Sequence, residues 1–206
     1  RLFGVDKTFK LTNIDFKQVL LLETNFNKTV SMLYNKETNE VEISSLFAND
    51  KTVHATMILE MVTCKNEEIL PLCEKYEEVC GLDFYDTIGN QYKEEFTALQ
   101  KVHHGDDGIS YGVIKYDNAE TPTFLRTCAW LDVSSHMGMI NMSVADRGSG
   151  IYADQVGTLF VNSSSAKCMD TVYTKIIQKV NSEYDLYMYD GFGNILAVVN
   201  DGKLGI

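Results

Sequence analysis

The sequence predicts an α+β fold, a long N-terminal helix and a helical segment followed by an antiparallel sheet. Three observations carry it. Apolar residues recur at helical spacing through the first third, short aromatic and β-branched runs separated by turn residues follow Gly81, and one more helical stripe sits behind a serine cluster.

In order along the chain, Asn13 caps a helix whose stripe is Ile14, Phe16, Val19, Leu20, Leu22, Phe26, Val30, Leu33 and Tyr34, ending near residue 35. A polar stretch, 36–40, separates it from a second helix over 51–63. Asn66, Glu67 and Glu68 open a third, with Ile69, Leu72, Tyr76 and Val79 on one side and Gly81 as its stop. Residues 82–87 then read as a strand and 92–102 as a short helix. Strands follow over 109–116, 124–133, 137–144 and 155–162. Ser163 to Ser165 cap a helix over 166–181, and 186–189 and 195–199 form a hairpin around the turn 190–194. The expected units are residues 1–81, 82–181 and 182–206.

The chain has 206 residues with 18 Lys+Arg against 29 Asp+Glu, a net charge of −11. That charge opposes phosphate and anionic lipid, which argues against nucleic-acid and membrane-surface roles. No run approaches the roughly 20 apolar residues of a membrane-spanning helix. The opening at Arg1 reads as a piece excised from a longer protein. Five cysteines, Cys64, Cys73, Cys80, Cys128 and Cys168, lack the spacing of zinc or redox motifs and read as free thiols. His103, His104, Asp106 and Asp107 read as a solvated loop, so no metal and no cofactor is expected.

Three stretches resemble the PAS-like Cache sensor domains of bacterial receptors. Gly81-Leu82-Asp83-Phe84-Tyr85-Asp86-Thr87-Ile88-Gly89-Asn90 is similar to the strand-turn element that opens the Cache sheet. Gln155-Val156-Gly157-Thr158-Leu159-Phe160-Val161-Asn162 resembles the last strand of the membrane-distal module. Tyr184 to Leu196 repeats the strand-turn element, as at the start of a second, membrane-proximal module. The resemblance implies a non-enzymatic, extracytoplasmic sensor of a small-molecule ligand, in a membrane-anchored parent that drives a histidine kinase, chemoreceptor or diguanylate cyclase. A homodimeric parent is compatible with it.

The strand expected over 124–133 supplies the candidate site. Alternation puts Arg126, Trp130 and Asp132 on one face. A guanidinium that grips a carboxylate, an indole wall and an ammonium acceptor suit an organic acid, amino acid or amine. Tyr111, Tyr116 and Asp146 could contribute from neighbouring strands. Amino-acid-binding Cache domains carry an aromatic beside the tryptophan, where this sequence has Leu131. Two other functions are compatible with the residues: an intracellular PAS- or GAF-like sensory module, and a small hydrolase using Cys128 or Cys168 as nucleophile.

Overall fold

The computed structural model describes residues 8–18, 20, 28–62, 77–80, 84–85, 92, 94–105, 107–115, 123–141, 152–162, 170–180 and 182–205. Eleven strands dominate them: β1 (Phe9–Phe16), β2 (Thr29–Tyr34), β3 (Glu40–Phe47), β4 (Asp50–Met61), β5 (Glu77–Cys80), β6 (Leu99–His104), β7 (Ile109–Lys115), β8 (Tyr152–Val161), β9 (Thr171–Gln178), β10 (Glu183–Tyr189) and β11 (Ile195–Gly205). They form one sheet in the order β2-β3-β4-β1-β8-β11-β10-β9-β7-β6-β5, and every described pairing is antiparallel. One helix, α1 (Thr123–His136), runs into a 3-10 turn, Met137–Asn141. The sheet draws strands from all three of the expected units.

Local chemistry explains the strands. β9 reads Thr-Val-Tyr-Thr-Lys-Ile-Ile-Gln, in which Val172, Thr174 and Ile176 alternate into the core. β-Branched and aromatic side chains fit a pleated surface better than a helix. The β3–β4 hairpin turns on Ala48 and Asn49, both with positive φ (48° and 73°), as the right-handed twist of a two-residue hairpin requires. Asn13 (φ 52°) bulges β1 and shifts its register against β4 between Thr12 and Asp15. Buried His54 joins three segments: Nδ1–H donates to the Gln18 carbonyl at 2.9 Å, and Nε2 accepts from the Ser45 hydroxyl at 2.7 Å.

The helix lies on the half of the sheet made by β7, β9 and β10. Ala129, Trp130 and Val133, with Met137, fill the space above Ile114, Val172, Ile176, Leu186 and Met188. The other half, β2-β3-β4-β1, carries no helix among the described residues. There Phe16, Val30, Met32 and Met61 are exposed.

This architecture overturns the expected α+β fold and the Cache resemblance. The expected first helix, from Asn13 to near residue 35, holds the end of strand β1 (Phe9–Phe16) and all of β2 (Thr29–Tyr34), and strand 50–61 stands where the second helix was expected. Of the expected helix over 66–81, residues 77–80 are strand β5 and the rest lies outside the described residues. Residues 92–102 divide into the 3-10 turn Glu94–Thr97 and β6, and the expected helix over 166–181 holds β9. Conversely, 124–133 is helix and 137–141 a 3-10 turn. Strands expected over 109–116, 155–162, 186–189 and 195–199 overlap β7, β8, β10 and β11. Of the expected strand 82–87, Phe84 and Tyr85 form a helical turn and the rest lies outside the described residues.

Candidate functional site

Helix α1 sets the spacing of the site. Four residues climb about 6 Å along a helix, against about 13 Å along a strand, so Asp132 and His136 meet only because this segment is helical. His136 Nε2 lies 3.0 Å from Asp132 Oδ2. The two differ sharply in environment: the His136 side chain is 1% exposed and that of Asp132 is 49% exposed. A buried imidazole thus anchors a carboxylate whose free edge faces outward.

Aromatic rings fix the imidazole. Tyr92 stacks on it with centroids 3.9 Å apart at 28°, and Tyr85 meets it edge-on at 5.9 Å and 80°. Tyr92 O–H donates to Met139 Sδ at 3.9 Å, and Phe84 braces Tyr85 edge-on at 5.5 Å. Rotation of the His136 ring would disturb these contacts, so the nitrogen facing Asp132 is held in place.

Tyr184 approaches from the sheet. It sits on β10 opposite Gly202 of β11, and its ring lies against the glycine so closely that a Cβ there would be 2.5 Å from Cζ. Burial, and then the charge of Asp132, push its phenol up to about 12. Burial, with Tyr111 and Tyr173, does the same for Tyr189. An unfolded tyrosine ionises near 10, so between pH 10 and 12 the unfolded chain releases a proton that the folded chain retains. Stability is therefore full below pH 10 and falls as pH rises toward 12. At about 1.4 kcal/mol per pH unit, Tyr184 accounts for about 2–3 kcal/mol of that loss. Urea denaturation at pH 9 and at pH 11.5 measures it; the slope is expected to shrink in Tyr184→Phe, and a flat profile would contradict the burial.

The sequence-predicted site residues are dispersed. Trp130 turns into the core at 1% exposure, while Asp132, two residues on, points the other way. Arg126 falls within α1. Tyr111 is buried on β7, with Lys175 Nζ 5.5 Å from its ring centroid. Tyr116 and Asp146 lie outside the described residues. His136, Tyr92, Tyr85 and Tyr184 were missed; a carboxylate and a histidine four apart was the available signal, and it has meaning only on a helix. Cys128 is free and exposed on α1, roughly 12 Å along the axis from His136, whose Nε2 is engaged by Asp132. Cys168 lies outside the described residues. A cleft of about 830 Å³ near the middle of the sheet is lined by Asp15, Glu42, Val156, Asp201 and Lys203 among others, and Asp132 is not part of its wall. Among the described residues no group of three His, Cys, Asp or Glu could hold a metal ion.

No family model matches the chain, and no curated protein does. Solved structures do. An inactive histidine-to-phenylalanine variant of the CurK dehydratase aligns with TM-score 0.82 and 16% identity over 99% of this chain and 77% of that one. An inactive aspartate-to-asparagine variant of the same enzyme gives 0.80 and 16%, over 99% of this chain and 78% of that one. The dehydratase domain of RzxB from Pseudomonas fluorescens gives 0.78 and 12%, over 98% of this chain and 78% of that one. The shared fold is the hotdog fold of polyketide synthase dehydratase domains. These likenesses replace the Cache assignment, and the expected non-enzymatic sensor of a membrane receptor, with its small-molecule ligand and extracytoplasmic setting, falls with it. No helix among the described residues is long and apolar enough to cross a membrane.

Proposed function

We propose that this chain is a dehydratase domain that removes water from a hydroxyacyl substrate, with Asp132 as the acid. The observation that carries the reading is the Asp132–His136 pair: a half-exposed carboxyl anchored by a buried imidazole, in a fold shared with dehydratases. Elimination of water needs a base to take a proton from carbon and an acid to give one to the departing oxygen. The proton is acidic enough only beside the carbonyl, so the hydroxyl belongs on the next carbon, as in a 3-hydroxyacyl thioester.

Asp132 delivers the proton on Oδ1 to the hydroxyl as the carbon–oxygen bond breaks, and water leaves. The carboxylate that remains keeps the hydrogen bond donated by His136 Nε2–H to Oδ2, which stabilises the new charge where it forms. His136 is too buried to reach substrate, so it positions Asp132, and the base is a group outside this pair.

The reverse reaction gives the test. Hydration of crotonyl-N-acetylcysteamine by the intact protein is followed by loss of the enoyl absorbance. Asp132→Asn is expected to lower turnover at least about 100-fold, within the range of a lost general acid, with no change in thermal midpoint. Wild-type turnover in Asp132→Asn would remove the reading.

A further inference from the structure

We propose that Lys175 and Tyr189 form a binding site for a small oxyanion, a phosphate or a carboxylate, on the face of the sheet opposite α1. Val172, Thr174 and Ile176 of β9 turn into the core beneath the helix, so alternation sends Tyr173 and Lys175 to the other side. Register completes the cluster. Lys175 stands between Tyr111 of β7 and Tyr187 of β10, and the next row along the same face joins Tyr173 to Tyr189. Lys175 and Tyr189 are therefore diagonal neighbours, a separation of about 7–8 Å that long side chains span. Lys175 Nζ lies 5.5 Å from the Tyr111 ring centroid, and the rings of Tyr173 and Tyr189 stack at 13° with centroids 6.0 Å apart.

Both polar ends lack what burial demands. Lys175 is 8% exposed, and a lysine so buried is ordinarily paired with a carboxylate. Lys10, Lys17, Lys51, Lys179 and Lys203, all more exposed, each meet one. Lys175 meets none among the described residues and has the Tyr111 ring instead. The nearby acids are already engaged. Asp185, two residues before Tyr187, holds Lys179 at 2.7 Å and the Asp201 amide at 2.9 Å, and Asp190, beside Tyr189, accepts from the amides of its own turn. Tyr189 is 6% exposed, and its hydroxyl is buried with no hydrogen-bond partner among the described residues. A phenylalanine would stack on Tyr173 equally well, so packing does not account for the hydroxyl. An oxyanion answers both groups: one oxygen neutralises the ammonium and another accepts from the phenol. The site lies across the sheet from the Asp132–His136 pair and is independent of the dehydratase reading.

Calorimetric titration of the intact protein with inorganic phosphate and, separately, with acetate, at constant ionic strength in chloride, tests the site. At least one of the two is expected to bind once per chain, and the tighter of them names the oxyanion. Tyr189→Phe should weaken that binding about 10-fold or more, as expected for a lost hydrogen bond to a charged group, and Lys175→Met should weaken it further. Thermal midpoints read the same charge independently. In chloride alone Lys175→Met should melt no lower than the wild type, because it removes a buried charge without a partner, and the bound anion should raise the wild-type midpoint but not that of the variant. A Lys175→Met protein that melts well below the wild type in chloride would show an ammonium already compensated, and would overturn the proposal. Binding of neither anion, or binding untouched by both substitutions, would remove the site.

Discussion

Trp130→Ala is expected to lower the free energy of unfolding by about 3–5 kcal/mol, the cost of emptying an aromatic site in a packed core. Trp130 heads the fully buried side chains and stands between α1 and the strands beneath it. Its neighbours Ala129 and Val133 of α1 and Leu186 and Met188 of β10 come from two elements, and no single side-chain movement would fill the vacated volume. For a chain of this size the thermal midpoint should drop by roughly 6–20 °C. Trp130→Phe should recover most of that loss. Urea denaturation of the three proteins decides the matter, and a loss below about 1 kcal/mol in the alanine variant would show that the indole is not in the core.

Gly202→Ala should cost about 2–3 kcal/mol, through compression instead of a void. The added methyl would overlap the Tyr184 ring at three carbon atoms, and the ring is enclosed by the helix-side cluster. The clash is specific, which makes it testable by a double-mutant cycle. Tyr184→Ala in the Gly202→Ala background should remove the compression, so the two changes together should cost about 1–3 kcal/mol less than their sum. Additive losses would place the strain elsewhere.

The turn chemistry was legible in the sequence. Asp190 accepts at Oδ1 from the amides of Phe192 and Asn194 and at Oδ2 from Asn194 Nδ2, and Gly193 takes a φ of 84°, closing the β10–β11 hairpin where Gly191, Gly193 and Asn194 announce a turn. The strands beside it followed. The first-third strands and α1 were not legible, for opposite reasons. In β2 and β4 the apolar residues fall at spacings that fit a helix as well as a strand, and only the partners across the ladder decide between them. Thr127, Cys128, Trp130 and Val133 are weak helix formers that alternate acceptably as a strand. The burial of Trp130 and Val133 on the sheet side of the helix overrides that preference. The site followed the helix: with 124–133 read as a strand, Asp132 paired with Arg126 and Trp130, and His136 had no place beside it.

The central pairing of the sheet bears on how the molecule assembles in time. β1, at the start of the chain, lies against β8, so Phe9 faces Val161 and Asp15 faces Gln155. Until β8 has emerged, β1 can pair only with β4, and its other edge stays open to any passing strand. Loop closure over so much intervening chain must be met before that contact gives any return, which puts the fold among those that form slowly and expose strand edges on the way. The interval of greatest vulnerability to misassembly is therefore the one in which the early strands are complete and their central neighbour has not yet been synthesised.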